Sequence, residues 1–366
     1  MRKLAYILSV NEMKWQRLFD LRKIITLITA ITGLYICLRY SSECAEGIRK
    51  GLLFCVETLV PSLFMFMALS SYIVKSGFAE RLTKPFSRLS QALFGMSPVG
   101  LSVILLSMIG GYPVGARCAA VLYEQKKIGR REAEKLVMIA VCAGPGFLMS
   151  YVGNALLGNG KAGRLLLYAE LIGVILTGII IGKLMRIEPS QVRRTALEKP
   201  AQNLLVTSVT DASRATFHMC AMVVLCAAMI EVIAAVSTNE TLTDILSAAL
   251  EITTGCQRMC AQYPLYLIAF FIGFSGISVH LQIYAGVGDL PIQKGLFFLY
   301  RILQGIITAA LTYILLMIFP VEQSVFSTVD VPLTLSRSAT LFGSGALILS
   351  SLCFLGSVRQ IRKKSE

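Results

Sequence analysis

The stretch Ser107-Met-Ile-Gly-Gly-Tyr-Pro-Val-Gly-Ala-Arg117 decides how the rest of this chain is interpreted, and we call it the first broken stretch. It places three glycines and a proline inside an apolar segment, so an uninterrupted helix is costly there. Broken backbone at membrane depth is tolerated only where protein or a water-filled cavity surrounds it. The second broken stretch, Gly273-Phe-Ser-Gly-Ile-Ser-Val-His-Leu-Gln282, has the same character. Paired interruptions of this kind in two halves of a chain are typical of transport sites.

The composition predicts an integral membrane protein. Of the 366 residues, 55% are hydrophobic and only 15% are charged, which lies outside the range of soluble domains. The net charge of +14 comes from short clusters of Lys and Arg between apolar runs. That distribution is the positive-inside pattern of a multi-pass protein of the cell membrane and argues against nucleic-acid binding.

Several kinds of site are not expected. The ten cysteines lie mostly inside apolar runs and form no C-x-x-C pair, so we interpret them as small buried hydrophobes and predict no metal and no cofactor. The sequence contains no nucleophile-elbow, zinc-protease or paired-carboxylate motif, so we do not expect an enzyme. The short apolar run 4–10 resembles a signal peptide but lacks a small-residue cleavage site, and we expect it to be retained in the cytoplasm.

The order of apolar runs predicts an all-α polytopic membrane protein with an internal repeat. Adding 165 to a residue number carries Gly111-Tyr-Pro-Val114 onto Gly276-Ile-Ser-Val279, and the same offset preserves the order of five elements. The predicted segments are a cytoplasmic segment with a first transmembrane helix (1–50), repeat 1 (51–185), a cytoplasmic linker (186–213), repeat 2 (214–357) and a basic tail (358–366).

The distribution of Lys and Arg tests the possible topologies. If all nine apolar runs span, the inside loops hold 14 basic residues and the outside loops 17, which violates the positive-inside rule. If both broken stretches are re-entrant hairpins, the counts become 20 inside and 11 outside. A hairpin in the first stretch alone gives 24 and 7. The first stretch must therefore turn back, and we expect the second to do the same because the repeat then forms two inverted halves.

Three motifs resemble those of a known family. The run Val56-Glu-Thr-Leu-Val-Pro-Ser-Leu-Phe64, the Gly110-Gly-Tyr-Pro-Val-Gly-Ala116 motif and the later Phe274-Ser-Gly-Ile-Ser-Val-His-Leu-Gln282 are similar to the YlbJ family of sporulation integral membrane proteins. That family is grouped with the nucleoside-recognition or Gate domain of nucleoside transporters and of the ferrous-iron transporter B. The resemblance implies a scaffold helix, an interfacial helix, a re-entrant hairpin and two transmembrane helices, repeated in inverted orientation. It also implies a role in endospore formation and cortex assembly.

The candidate binding residues lie at the two predicted hairpin tips. Freed backbone groups and the partial charges of helix ends can hold an ion or an anionic group there. The first tip comprises Gly110, Gly111, Tyr112, Pro113 and Gly115, and the second comprises Ser275, Gly276 and Ser278. The alternative for both is a kinked helix whose glycines serve close packing.

Polar residues inside apolar runs form a second candidate set, because an intramembrane polar group is a functional hypothesis by default. These residues are Glu57, Arg117, Asn154, Glu170, His280 and Gln282. A buried carboxylate can carry a coupling proton or bind Na⁺, and a histidine can couple protons. Of the carboxylates we favour Glu57, while snorkelling to the interface is the alternative for Arg117.

Two functions from different classes remain open at this point. The first is a secondary transporter whose tips meet near the midplane and bind an unidentified small solute or ion. The second is a non-transporting membrane scaffold that is required for spore assembly. The lipid bilayer is the expected surrounding in both cases, and a homo-oligomer or other sporulation membrane proteins are the candidate protein partners.

Overall fold

The computed structural model describes residues 23–185 and 203–321, and every regular element in them is helical. The first range contains α1 (Lys23–Arg39), α2 (Ser41–Phe54), α3 (Val60–Lys75), α4 (Phe78–Thr83), α5 (Ser87–Phe94), α6 (Pro98–Gly110), α7 (Tyr112–Glu124), α8 (Arg130–Ile139) and α9 (Gly160–Leu184). The second contains α10 (Leu204–Val236), α11 (Glu240–Leu250), α12 (Ile252–Met259), α13 (Leu265–Phe274), α14 (Gly276–Gly286) and α15 (Lys294–Ile318). Two π-helical segments, Cys55–Leu59 and Gly146–Leu156, join α2 to α3 and follow α8.

The helix lengths confirm a multi-pass, all-α membrane protein. Four helical segments of the described residues are long and apolar enough to cross a membrane, or up to six if each bent pair counts as one span. The four are Gly160–Leu184, Leu204–Val236, Leu265–Gly286 and Lys294–Ile318. One bent pair joins α1 to the α2 segment at 91°, and the other joins α5 to α6 at 85°.

A long rod of α2, its π-helical turn and α3 packs antiparallel against α10. A Cβ built on Gly51 would lie 3.0 Å from the Val224 Cα, so the glycine lets the two backbones approach closely. Near the middle of the rod, the Cys55 thiol lies 3.8 Å from the Cys220 carbonyl oxygen. These two cysteines are 165 residues apart, which is the offset of the predicted repeat.

Helix α8, the break at 140–145 and the following π-helical segment run together, antiparallel to α9. A Cβ on Gly153 would lie 2.6 Å from the Gly163 Cα, and a Cβ on Gly178 would lie 3.0 Å from the Ile139 side chain. Residue 153 therefore contacts the N-terminal part of α9, at Gly163, and residue 139 contacts its C-terminal part, at Gly178. This arrangement is a broken helix that lies along a continuous one.

The first broken stretch forms a helical hairpin, as predicted. Helix α6 ends at Gly110, Gly111 has a φ of 88°, and α7 begins at Tyr112. A Cβ built on Gly115 would lie 2.6 Å from the Ser107 Cβ, although residues eight apart in one straight helix are about 12 Å apart. Helix α7 therefore folds back on α6, and Gly111 occupies a left-handed conformation that favours glycine.

The second broken stretch does not fold back, which corrects the hairpin predicted there. Both α13 and α14 contact the continuous helix α15, and the contacts progress in one direction. Ring pairs join Tyr266 to Tyr313 with centroids 5.8 Å apart and Tyr284 to Phe297 at 5.6 Å. Helix α14 therefore continues along α15 beyond α13, and the two helices form one span. This is the topology in which only the first broken stretch is a hairpin.

The two stretches also differ at the position of Gly115. The repeat offset of 165 places His280 there, and a histidine side chain cannot occupy the contact that brings α7 against α6. In the described structure α13 and α14 form a broken span, whereas α6 and α7 form a hairpin. Because the two halves differ here, the inverted repeat stays a prediction.

Several predicted boundaries can be compared with the helices. The interfacial element predicted at 78–95 corresponds to α4 and α5, and its counterpart in the second half corresponds to α11 and α12. Helix α10 begins at Leu204, so it occupies part of the predicted linker 186–213. The predictions for the run 4–10, the last transmembrane helix of repeat 2 and the basic tail lie outside the described residues.

Candidate functional site

Three interruptions of the helical backbone meet at one place. They are Gly111 at the hairpin tip, the break at 140–145, and the second break between α13 and α14. A Cβ built on Gly111 would lie 3.4 Å from the Gly144 nitrogen, so the first two interruptions touch backbone to backbone. The hydroxyl of Tyr112 donates to the carbonyl oxygen of Ile272 at 2.8 Å, which joins the hairpin tip to the second break.

Arg301 links two of these interruptions from α15. Its guanidinium donates to the Val141 carbonyl oxygen at 2.7 Å and also to the Gly273 carbonyl oxygen. Both carbonyls lie at or just beyond the C-terminal end of a helix, where partial negative charge collects and a cation is stabilising. The side chain is only 1% exposed. Its Nε atom is buried and has no hydrogen-bond partner in the described structure.

Glu170 reaches the same break from α9 and is fully buried. One carboxylate oxygen accepts from the Ala143 backbone N–H at 3.3 Å, and the other accepts from the Thr308 hydroxyl at 2.9 Å. The Gln304 amide lies 3.4 Å from that second oxygen. Freed backbone N–H groups attract a carboxylate. The break therefore binds Glu170 through the N–H of Ala143 and Arg301 through the carbonyl oxygen of Val141.

A polar stripe on α15 completes what we call the central polar cluster, namely Tyr112, Glu170, Arg301, Gln304 and Thr308. Arg301, Gln304 and Thr308 recur every three or four residues on the buried face of α15, which is the spacing of one helical face. A Cβ on Gly173 would lie 2.8 Å from the Thr308 hydroxyl oxygen. The glycine therefore lets α9 and α15 approach closely enough for Glu170 to contact the stripe.

Glu170 and Arg301 are not directly paired. Among the described residues, no ion pair within 4.0 Å joins them. Each is instead bound by backbone groups and neutral side chains. A buried charge without a close opposite charge is costly, so both groups depend on these backbone and neutral partners.

The predicted tip residues are only partly brought to this cluster. Gly110, Gly111, Tyr112 and Pro113 lie at the hairpin turn, and Gly115 lies one turn along α7 against Ala140. Ser275 and Gly276 form the second break, each with a φ of 72°. Gly276 faces Leu250 and Ile252, so this tip contacts the loop between α11 and α12.

The predicted polar residues of α14 are buried and satisfied locally. The Gln282 amide donates to the Ser278 hydroxyl at 3.1 Å. A ring nitrogen of His280 lies 3.0 Å from the Phe274 carbonyl oxygen, and the ring packs among three phenylalanines. Both contacts are within the second broken stretch, so they stabilise the break and do not reach the central polar cluster.

The other predicted intramembrane residues lie elsewhere. Arg117 donates to the Gly286 carbonyl oxygen at 3.0 Å and lies 3.7 Å from Asp211, whose carboxylate also contacts Lys75. Glu57 and Asn154 are exposed on the outside of the helices. Of the six polar candidates, only Glu170 belongs to the central polar cluster, and Glu57 is not the carboxylate of this site.

Comparison with known proteins supports the family resemblance. The chain is 25% identical over 345 residues to the sporulation integral membrane protein YlbJ of Bacillus subtilis (strain 168). The alignment covers 81% of this chain and 84% of that protein. No family model matches the chain, and no solved structure matches it.

Sequence reasoning missed Arg301, although a signal was present. The apolar run 296–319 contains one arginine followed at helical spacing by Gln304, Thr308 and Thr312. A charged residue inside such a run is a functional hypothesis by default, and the polar spacing identifies the buried face. The described residues contain no group of three or more His, Cys, Asp or Glu side chains placed to hold a metal.

Proposed function

We propose that this protein is a membrane protein of endospore formation that binds and moves a small solute at the central polar cluster, in support of cortex assembly. The observation that carries the proposal is that Glu170 and Arg301 both bind the break at 140–145, which the hairpin tip touches at Gly144 and which Arg301 links to the Gly273 carbonyl beside the second break. Discontinuous helices whose ends face a midplane site are the usual construction of secondary transporters. The sporulation role is supported by the name of the relative from Bacillus subtilis.

The hairpin of α6 and α7 is the candidate moving part. It touches the break at 140–145 through Gly111 against Gly144, Gly115 against Ala140 and Ser107 against Cys142. The continuous helices α9 and α15 carry Glu170 and Arg301 and provide the fixed part. Displacement of the hairpin along this frame opens the cluster to one side of the membrane, which is the Gate-like arrangement that the resemblance implies. The proposal includes no enzymatic step.

Cysteine accessibility tests the proposal. Tyr112→Cys and Ser278→Cys are introduced singly into a variant that lacks the native cysteines, and a small aqueous thiol reagent is applied to each side of the membrane. We expect Tyr112→Cys to react because the tip lines the solute path. Ala120→Cys is the matched control, since Ala120 lies further along α7 and is 1% exposed. It is expected to stay unlabelled.

The same variants separate transport from a scaffold role. If neither tip cysteine reacts from either side while the protein still supports sporulation, the transporter proposal is wrong and the scaffold is favoured. If the tip reacts and blocking it with the reagent abolishes sporulation, an open path is required for function. Solute screening then follows on the reactive variant.

A further inference from the structure

The environment of Glu170 differs from that of Glu251, another buried carboxylate. Its second oxygen contacts the Thr308 hydroxyl at 2.9 Å and lies 3.4 Å from the Gln304 amide. A hydroxyl and an amide each contain both a donor and an acceptor. Thr308 can therefore donate to the charged carboxylate, or accept from the protonated acid, without any change of position.

The Gln304 amide is fixed by contacts on its other side. Its nitrogen donates to the Thr177 hydroxyl at 2.5 Å and to the Gly173 carbonyl oxygen at 3.1 Å, and its oxygen accepts from the Val174 N–H at 3.1 Å. In this orientation the amide oxygen faces Glu170 and is an acceptor for the protonated acid. The Thr308 hydroxyl is the partner that suits both protonation states.

Glu251 provides the contrast within the same molecule. It is also buried, at 2% exposure, but its oxygens accept from the backbone N–H groups of Thr253 and Thr254 at 3.0 and 2.7 Å. Backbone N–H groups only donate, and they lie at the N-terminus of α12, where negative charge is stabilised. Nothing in this pair of contacts accepts a proton from the carboxyl group.

The groups around Glu170 act on its protonation in opposite directions. The titratable groups near it are Arg301 from α15, Tyr112 from α7 and Cys142 from the break. The positive charge of Arg301 favours the carboxylate anion, whereas complete burial favours the neutral acid. Because the two effects oppose each other, neither protonation state is fixed by its surroundings.

We propose that Glu170 is the site at which this protein binds and releases one proton, with the Thr308 hydroxyl as the partner for both states. The inference rests on the proposed function, because a transporter of this construction uses such a site to couple solute movement to a proton gradient. The proton adds to a carboxylate oxygen of Glu170 and leaves from the same atom, so no other reactant is needed. Arg301 remains charged and bound to the helix ends throughout.

Infrared difference spectroscopy on the purified full-length protein in lipid tests this without knowledge of the solute. The C=O stretching band of a protonated carboxylic acid is followed in steps between about pH 5 and about pH 9, the range reached by buried glutamates. We expect one band that disappears as the pH rises and that is absent in Glu170→Gln. Glu251→Gln is the matched control, and the band is expected to remain in it.

Variants of Thr308, whose hydroxyl contacts Glu170, provide a second test. Thr308→Val keeps the shape of the side chain but removes the hydroxyl, so the band is expected to change frequency and to titrate at a different pH. Thr308→Ser restores the hydroxyl and is expected to restore the wild-type titration. If Glu170→Gln leaves the titrating band in place, or if the wild-type protein has no such band, the inference is wrong.

These outcomes are distinct from those that concern transport. A missing band together with a reactive cysteine at position 112 contradicts the proton site and leaves the transporter proposal standing. A titrating band that depends on Glu170, together with inert tip cysteines, supports the proton site and contradicts transport. The two measurements therefore fail independently.

Discussion

The two broken stretches begin alike and end differently. In the first, α7 folds back along α6, and in the second, α14 continues in the direction of α13 along α15. Both contain a left-handed residue at the break, Gly111 in one and Ser275 with Gly276 in the other. The backbone at the break nevertheless differs, because ψ is −175° at Gly111 and −1° at Ser275. The residue one turn later differs as well, since Gly115 permits close contact with α6 and His280 carries a large side chain.

The largest expected effect concerns the sides of the membrane at which the two stretches begin and end. We expect cysteines at Gln91 and Glu124, which flank the first stretch, to be labelled from the same side by an impermeant thiol reagent. Cysteines at Gln262 and Asp289, which flank the second, are expected to be labelled from opposite sides. All four positions are exposed, and the experiment uses a variant without native cysteines. Labelling of the second pair from one side would restore the hairpin there.

The next largest effect is expected at the residue that ties the second stretch to the break after α8. Arg301→Met removes the donors to the Val141 and Gly273 carbonyls and leaves two buried acceptors unpaired. We expect the free energy of unfolding in detergent to fall by about 2–6 kcal/mol, at a cost of about 1–3 kcal/mol for each acceptor. Arg301→Lys keeps the charge but lacks the fork that reaches two carbonyls, so an intermediate loss is expected. Equal stability of Arg301→Met and wild type would contradict the assigned contacts.

A smaller effect is expected from a substitution that disturbs only the packing of the hairpin. The added Cβ in Gly115→Ala would lie 2.1 Å from the Ala140 carbonyl oxygen, so α7 must move away from α6 and α8. We expect a loss of about 1–3 kcal/mol in unfolding free energy, as for overpacked cores. Gly286→Ala, at the end of α14, has nothing within 4 Å of the added atom and is the control that should leave stability unchanged or slightly raised. A harmless Gly115→Ala would show that the hairpin is not closely packed.

The smallest effect is expected at the contact between the two stretches. Tyr112→Phe removes only the hydroxyl that donates to the Ile272 carbonyl oxygen at 2.8 Å. We expect a loss of about 0.5–1.5 kcal/mol, the usual contribution of one hydrogen bond. Thermal unfolding of the single variant and of its combination with Arg301→Met measures whether the two links are coupled. Strict additivity would show that the tip and the second break act separately.

The sequence predicted the location of the breaks because glycine and proline act locally. Gly111 and Gly276 fall at the interruptions for conformational reasons that one residue and its neighbours determine. The direction of the chain after the break is a tertiary property, and the assumption of symmetry selected the wrong arrangement for α13 and α14. The positive-inside count alone favoured the observed one, because it records the whole topology and not the local motif.

The candidate site was predictable only in part. Tyr112 and Glu170 were selected from the sequence, and the structure brings both to the central polar cluster. Glu57 was favoured over Glu170 because it opens a family-like run, yet helical phase places it on the exposed side of its rod. Which of several intramembrane carboxylates faces inward depends on the packing of α9 against α15, and no pattern within either helix contains that information.

The meeting of Gly111 with Gly144 has a mechanical consequence. Two side-chain-free backbones in contact present a smooth, shallow surface, so a displacement of a fraction of a residue requires no rotamer change on either side. Interlocked side chains would resist such a displacement until several of them rearranged together. At this one contact the hairpin meets the core without interlocking side chains, whereas the Tyr112 hydroxyl on the Ile272 carbonyl oxygen and Gly115 against Ala140 hold the residues beside it. A translation of the hairpin must therefore break those two contacts, and the contact between the glycines adds no resistance of its own.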